Sequence, residues 1–213
     1  MPRPLIYVLA GVNGAGKSSL GGRALAQAGL SWFNPDTYAR EWSALTGGSL
    51  AEANGIAWRE GVRRLDDAFA RGRDYAFETT LGGNSIAARL RAATATHDVA
   101  MWFCGLDSPD HHIARVRLRV AGGGHDIPDA KIRERYVSSL SNLIALLPHL
   151  SQLQVYDNSL DAKPGDPVSD PRLLLQMEDQ RITSATDIDA LKAMPDWAKP
   201  IMEAALALAD QSA

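Results

Sequence analysis

The sequence of 213 residues is 46% hydrophobic and 22% charged, and its formal net charge is −3 at pH 7. This length and composition are typical of a globular protein with a single domain. The slightly acidic charge does not indicate a nucleic-acid-binding surface, and no apolar stretch approaches the roughly 20 residues of a membrane span, so we expect neither partner. Cys104 is the single cysteine. It excludes an internal disulfide and favours a cytoplasmic location.

A glycine-rich segment near the start of the chain is the strongest functional signal. The apolar run Leu5–Ala10 predicts a buried strand, and Gly11–Ser18 then fits the phosphate-loop pattern G-x-x-x-x-G-K-[ST]. Glycines let successive backbone N–H groups point at phosphate oxygens, here at the start of a helix predicted over residues 16–28. We expect Lys17 to hold the outer phosphates and the Ser18 hydroxyl to ligate Mg²⁺. The predicted nucleotide ligands are Gly11, Asn13, Gly14, Ala15, Gly16, Lys17, Ser18 and Ser19.

The next candidate follows a second short strand, predicted over Leu30–Phe33. The sequence Asn-Pro-Asp comes directly after it and ends at Asp36. In open α/β sheets ligands bind outside the carboxyl ends of strands, where a carboxylate can hydrogen-bond a substrate hydroxyl. Local sequence favours equally a second interpretation, in which Asp36 caps the helix predicted over Thr37–Leu45.

A third strand is predicted to end in polar residues as well. After a long helix over Leu50–Arg71, the strand Tyr75–Phe77 is followed by Glu78-Thr79-Thr80. Glu78 and Thr80 are therefore candidate substrate ligands. The alternative is that these residues cap the helix predicted over Asn84–Thr94.

Arginines follow the fourth strand, which is predicted over Asp98–Gly105 and reads as buried on both faces. A helix over about residues 109–121 carries Arg119, and a flexible turn over residues 122–128 suits a moving lid. The next helix, from Asp129 to about Leu147, has Arg133 and Arg135 close to its apolar face. A charged group there needs an anion or carboxylate partner, so a site arginine and a structural ion pair are both open interpretations.

The C-terminal quarter of the sequence predicts strands and helices with a structural role. A fifth strand over Leu153–Tyr156 precedes a loop over residues 161–171, and Leu173–Thr183 resembles a short hairpin. Helices are predicted within Asp187–Ala209, with breaks near Pro195 and Pro200.

These elements predict an α/β fold in three layers, of the P-loop kinase type. We expect a mostly parallel central sheet of about five strands, plus a small C-terminal hairpin and helices. One kinase domain would span residues 1–213, with a core over about 1–160 and an extension over about 161–213. The sequence lacks the Asn-Lys-x-Asp motif of GTPases, and no apolar run ends in the paired acids of a motor ATPase.

Several segments, taken in their order along the chain, together resemble the zeta-toxin-like kinases over about residues 1–160. The resemblance implies ATP- and Mg²⁺-dependent phosphorylation of a nucleotide-sugar hydroxyl; the plasmid toxins phosphorylate the 3′-hydroxyl of UDP-N-acetylglucosamine. It also suggests an antitoxin protein as a partner. The segments that carry it are Gly11–Ser18, Asn34–Asp36, Glu78–Thr80, Arg119-Val120 and Gly123–Tyr136.

The resemblance implies a role for each matching residue. Lys17 is the phosphate lysine, Ser18 the Mg²⁺ hydroxyl and Asp36 the general base. Glu78 and Thr80 are the sugar-contacting pair, and Arg119 is the first transition-state arginine.

The sequence also departs from the plasmid toxins. They carry a second arginine just before a Thr-Pro, whereas His125-Asp126-Ile127-Pro128 stands at that place here. We therefore hypothesise that Arg135, or else Arg133, supplies the second arginine. The chain is also shorter, which indicates a chromosomal relative.

Two alternative functions stay open at this point. One is a P-loop kinase for a nucleotide, nucleoside or simple sugar. The other is a non-catalytic nucleotide-binding module, which would need Lys17 but neither Asp36 nor the arginines.

Overall fold

The computed structural model describes residues 2–18, 20–21, 31–161, 169–184 and 187–211. The strands are β1 (Leu5–Ala10), β2 (Tyr75–Thr79), β3 (Asp98–Gly105), β4 (Gln152–Asp157), β5 (Arg172–Glu178) and β6 (Arg181–Ile182). The α-helices are α1 (Pro35–Thr46), α2 (Leu50–Arg71), α3 (Asn84–Ala93), α4 (Pro109–Ala121), α5 (Asp129–Leu146), α6 (Ile188–Lys192) and α7 (Lys199–Gln211). Residues 17, 18, 20 and 21 are helical, as predicted after the phosphate loop, while Ser19, most of that helix and the loop over 162–168 lie outside the described residues.

The strands form one six-stranded sheet in the order β2-β1-β3-β4-β5-β6. The first four strands are parallel, β5 pairs antiparallel with β4, and β6 pairs antiparallel with β5. In β3, Met101 and Phe103 on one face and Ala100 and Cys104 on the other are all at most 4% exposed. A strand buried on both faces needs a helical layer on each side of the sheet. The predicted three-layer α/β fold is therefore confirmed, and the hairpin extends the central sheet instead of standing apart from it.

The predicted second strand was wrong in extent. Leu30 lies outside the described residues, residues 31 and 32 are not strand, and Phe33 pairs with the sheet through an isolated parallel bridge to Phe77. Its N–H donates to the Ala76 carbonyl at 2.8 Å, and the Glu78 N–H donates to the Phe33 carbonyl at 2.9 Å. β2 continues to Thr79, so Glu78 lies within the strand and not after it.

Asn34, and not Asp36, caps the following helix. The Asn34 side chain accepts a hydrogen bond from the Thr37 N–H at 3.1 Å, and Pro35 begins α1 with its φ already suited to a helix. The capping interpretation of Asp36 was therefore wrong. Capping by residues 78–80 was wrong too, because Gly83 precedes α3 without any side-chain cap. Both sets of polar side chains are thus available to a site.

The C-terminal extension belongs to the same core as the sheet. Trp197, in a short 3₁₀ turn over Asp196–Ala198, is 6% exposed and packs on Gly105, where a Cβ would lie 2.4 Å from its ring. In α7, Ile201 is 1% exposed. The expected break near Pro195 is present, but Pro200 lies in the first turn of α7 and does not interrupt it. Within the described ranges, no helix combines the length and apolar character that crossing a membrane requires.

Replacing Trp197 tests whether this extension is integral to the fold. We expect Trp197→Ala to lower the free energy of unfolding by about 3–5 kcal/mol, because it leaves a cavity against the end of β3. Ile188→Ala is the control, since that side chain is 68% exposed and its loss should cost under about 0.5 kcal/mol. Urea denaturation followed by circular dichroism measures both, and equal small losses would contradict an integral extension.

Candidate functional site

The phosphate loop uses glycine where a side chain cannot fit. Gly11, Gly14 and Gly16 have φ of 139°, 84° and 86°. A Cβ at Gly11 would lie 2.1 Å from the Cys104 carbonyl oxygen, and one at Gly14 would lie 2.8 Å from that of His112. The backbone of the loop therefore packs directly on β3 and α4, in a conformation that only glycine adopts without strain.

Side chains behind the loop brace its carbonyl groups. The Ala15 carbonyl accepts from the Cys104 thiol at 3.0 Å and from Asn158 Nδ2 at 2.9 Å. The Asn13 carbonyl is 2.9 Å from His112 Nδ1, which must carry a proton because a carbonyl oxygen only accepts. Burial lowers the pKa of His112 to about 4 and raises the pKa of the Cys104 thiol to about 12, so both are neutral at pH 7.

Glu78 connects the phosphate loop to Asn34, the residue that caps α1. Its two carboxylate oxygens each accept from the Ser18 hydroxyl at 3.1 Å, and one accepts from Asn34 Nδ2 at 2.6 Å. Lys17 Nζ lies 3.8 Å from Glu78 Oε1 and 3.4 Å from the Val12 carbonyl oxygen. Both charged residues are 8% exposed. A buried carboxylate thus holds the loop's cation, its hydroxyl and the cap of α1 together.

Asp36 lies beside one of the candidate arginines. As the second residue of α1 it is half exposed, and its Oδ2 is 3.6 Å from Arg119 Nη1. Arg119 Nη2 donates to the His125 carbonyl at 3.0 Å, which ties α4 to the turn over residues 122–128. The turn expected to act as a lid therefore touches the candidate base through Arg119.

A cavity of about 500 Å³ brings six of the predicted site residues together. This volume is within the range of small-molecule sites, which is roughly 300–1,000 Å³. Arg119 lines an adjoining cleft of about 920 Å³, which also reaches Asp36 and His125. The predicted residues that line the cavity itself are Asn13, Lys17, Asp36, Glu78, Thr80 and Arg135.

Of the two candidate arginines on α5, only Arg135 reaches this cavity. Its Nη1 donates to Asn13 Oδ1 at 2.7 Å, and its side chain packs over Gly82, where a Cβ would lie 2.7 Å from Arg135 Cγ. Burial lowers the pKa of Arg135, and the nearby charge of Asp36 opposes that effect. Arg133 is half exposed and pairs with Asp110 at the surface.

Comparison with known proteins gives similarity at the level of fold. No protein-family model matches the chain. A Haemophilus influenzae protein of uncharacterised function is 28% identical over 127 residues, which cover 59% of this chain and 88% of that protein.

Several solved structures share the architecture. The AvrRxo1-ORF1:-ORF2 complex with ATP has a TM-score of 0.63 at 12% identity, over 98% of this chain and 81% of that chain. The PezAT chromosomal toxin-antitoxin system of Streptococcus pneumoniae has a TM-score of 0.55 at 14% identity, over 74% and 68%. A putative kinase from Chloroflexus aurantiacus has a TM-score of 0.52 at 17% identity, over 63% and 78%. The protein thus has a kinase-type α/β fold, in agreement with the resemblance seen in its sequence.

The buried His112 predicts a specific pH dependence of stability. Its pKa is about 4 in the folded protein against an ordinary value of 6.5, so the unfolded chain binds the proton more readily. The folded state should therefore lose up to about 3 kcal/mol as the pH falls from 6.5 to 4, and nothing above 6.5. His112→Asn keeps an N–H donor near Asn13 without titrating, so its stability should fall less over this range.

Urea unfolding of His112→Asn and of the unsubstituted protein at several pH values measures this difference. Parallel pH profiles for His112→Asn and the unsubstituted protein would show that His112 does not bind its proton more weakly in the folded state.

Proposed function

We propose that the protein is an ATP-dependent kinase that transfers the γ-phosphate to a hydroxyl group of a nucleotide sugar such as UDP-N-acetylglucosamine. The observation that carries the proposal is that Lys17 of the phosphate loop and the carboxylate of Asp36 line one cavity of substrate size. A phosphate donor and a hydroxyl acceptor can therefore meet between them.

The donor is held by the loop. Its backbone N–H groups and the helix that begins at Lys17 favour an anion, and Lys17 adds a cation for the outer phosphates. His112, Cys104 and Asn158 brace the Asn13 and Ala15 carbonyls from behind the loop. A loop that is held in place before the nucleotide arrives lowers the entropy cost of binding.

The residues present fit Mg²⁺, which kinases of this type use. The Ser18 hydroxyl and the Glu78 carboxylate lie 3.1 Å apart and offer the oxygen ligands that Mg²⁺ prefers. In the described part of the chain no three His, Cys, Asp or Glu side chains cluster as a metal cage. This agrees with an ion that takes most of its ligands from water and phosphates. When bound, Mg²⁺ neutralises charge on the β- and γ-phosphates.

Asp36 acts as the general base in the proposed reaction. The acceptor hydroxyl donates its hydrogen bond to the Asp36 carboxylate and gives up its proton there as its oxygen bonds to the γ-phosphorus. The bond between the γ-phosphorus and the bridging oxygen breaks, and ADP leaves. Glu78 and Thr80, on the same cavity wall, orient the sugar.

Arg119 and Arg135 neutralise the charge that spreads over the transferred group. Arg135 already contacts the phosphate loop through Asn13, and Arg119 lies beside Asp36 on the other side. The two guanidinium groups therefore approach from two different helices, α4 and α5. Positioned cations of this kind are the main source of phosphoryl-transfer catalysis.

An antitoxin partner is part of the proposal. One of the similar structures is a complex of AvrRxo1-ORF1 with -ORF2, and another is of the PezAT toxin-antitoxin system. Expression in bacteria of the unsubstituted chain against Lys17→Ala separates a toxic kinase from a housekeeping one, because only a toxic kinase would arrest growth in a Lys17-dependent way.

Product formation is the direct test of the function. Purified protein with ATP, Mg²⁺ and a panel of UDP-sugars, nucleosides and simple sugars should yield a phosphorylated UDP-sugar, detected by mass spectrometry. Phosphorylation of only a nucleoside or a simple sugar would show that the acceptor belongs to that class and not to the nucleotide sugars. The absence of product with every acceptor would favour a non-catalytic nucleotide-binding module.

Asp36→Asn tests the base. We expect it to lower kcat about a hundredfold or more, with the KM for ATP unchanged, because the amide cannot take the hydroxyl proton. Asp66→Asn is the control, since Asp66 pairs with Arg89 at the surface. Turnover of Asp36→Asn within twofold of the control would remove Asp36 from the reaction.

Three arginine variants test whether Arg119 and Arg135 stabilise the transition state. Arg119→Ala and Arg135→Ala should each lower kcat at least about tenfold, which is about 1.4 kcal/mol of barrier. Arg133→Ala, on the same helix as Arg135 but at the surface, should leave kcat unchanged. If all three variants turned over equally, neither Arg119 nor Arg135 would stabilise the transition state.

A further inference from the structure

One face of α2 forms a wall of the cavity. Asn54, Ala57, Trp58, Gly61 and Val62 line it, at the spacing of three and four that places residues on one side of a helix. Ala57 and Gly61 are the smallest residues of this face, and a Cβ at Gly61 would lie 2.9 Å from Phe33 Cε1, so the helix packs closely on the Phe33 ring there. Trp58 is the large exception.

Trp58 stands at the mouth of the cavity. It lines the cavity and is nevertheless 51% exposed, whereas tryptophan is on average a highly buried residue. An indole that is open to solvent on one side and to a cavity on the other offers its ring for stacking with a planar group.

The charges of the cavity fix which part of an acceptor reaches the mouth. Lys17, Glu78 and Asp36 all line the cavity, so in the proposed reaction the reacting hydroxyl lies beside these three residues. On α5, Arg135 and the half-exposed Lys131 also line the cavity. Lys131 Nζ pairs with the Glu134 carboxylate at 2.8 Å, and a phosphate group of the acceptor can replace that carboxylate as its partner.

We propose that Trp58 stacks on the nucleobase at the distal end of a nucleotide-linked acceptor and so selects acceptors that carry a base. Lys131 would face the linking phosphates, and the sugar would present its hydroxyl to Asp36. This inference rests on the proposed function and names the feature by which that site recognises its substrate class. Stacking of a base on an aromatic side chain tolerates different bases, because every base has a π-face.

Calorimetry on the purified chain tests the stacking directly. The protein is first saturated with Mg²⁺ and a non-hydrolysable ATP analogue, so that the probes cannot occupy the donor site. UDP-N-acetylglucosamine, UDP and N-acetylglucosamine 1-phosphate are then titrated separately. Trp58→Ala should weaken the binding of both uridine nucleotides at least about fivefold and leave the sugar phosphate unchanged. Trp58→Phe should restore most of the affinity.

Two controls separate stacking from a structural effect. Leu45→Ala removes an apolar side chain that is 86% exposed on α1 and should change no affinity. The affinity for the ATP analogue should stay the same in every variant, which shows that the chain is folded. In the unsubstituted protein, UDP should also quench part of the tryptophan fluorescence, and Trp58→Phe should lose that quenching.

The inference and the proposed function fail in different ways. Unchanged affinity of the uridine nucleotides in Trp58→Ala, no binding of either nucleotide, or a loss confined to the sugar phosphate would overturn the stacking of a base on Trp58. A Trp58-dependent affinity without any phosphorylated product would uphold the stacking and overturn the kinase reaction.

Discussion

The carboxylate of Glu78 fixes the position of the phosphate loop relative to the start of α1, which carries Asp36. It lies in the strand next to β1 and accepts hydrogen bonds from Ser18 of the phosphate loop and from Asn34. Asn34 uses its amide nitrogen for Glu78 and its oxygen to cap α1, two residues before Asp36. The distance between the loop and the candidate base thus depends on one buried acid. Its cost of desolvation is offset by Lys17 and by these hydrogen bonds.

Charges within the site are paired with one another or with polar groups of the loop. Lys17 lies beside Glu78, Asp36 beside Arg119, and Arg135 donates to Asn13. A phosphate group can exchange with the carboxylates as the partner of these cations, because it presents the same kind of oxygen acceptors. The contacts that pair these charges in the structure are therefore the ones that a bound phosphate would replace in the proposed reaction.

The parts of the site that sequence predicted are those with local patterns. The phosphate loop has fixed spacing, and Asp36 and Glu78 follow from the rule that ligands gather at the carboxyl ends of strands. The second strand was overestimated because Trp32 and Phe33 are large apolar residues typical of strands, but residues 31 and 32 are not strand and Phe33 joins the sheet through a single bridge. The brace from His112 gave no local signal, since it depends on packing between α4 and the loop, 99 residues apart in sequence. Trp58 looked like any other residue on an amphipathic helix, because only the tertiary structure shows that its side chain meets a cavity.

The most direct measurement is a crystal structure of the protein with Mg²⁺, a non-hydrolysable ATP analogue and UDP-N-acetylglucosamine. A sugar hydroxyl should lie within about 2.6–3.2 Å of the Asp36 carboxylate and about 3–3.5 Å from the γ-phosphorus, opposite the bond to be broken. Finding the nucleotide on the loop but the sugar hydroxyls turned away from Asp36, with that carboxylate still held by Arg119, would contradict a shared role for Lys17 and Asp36 in one transfer reaction.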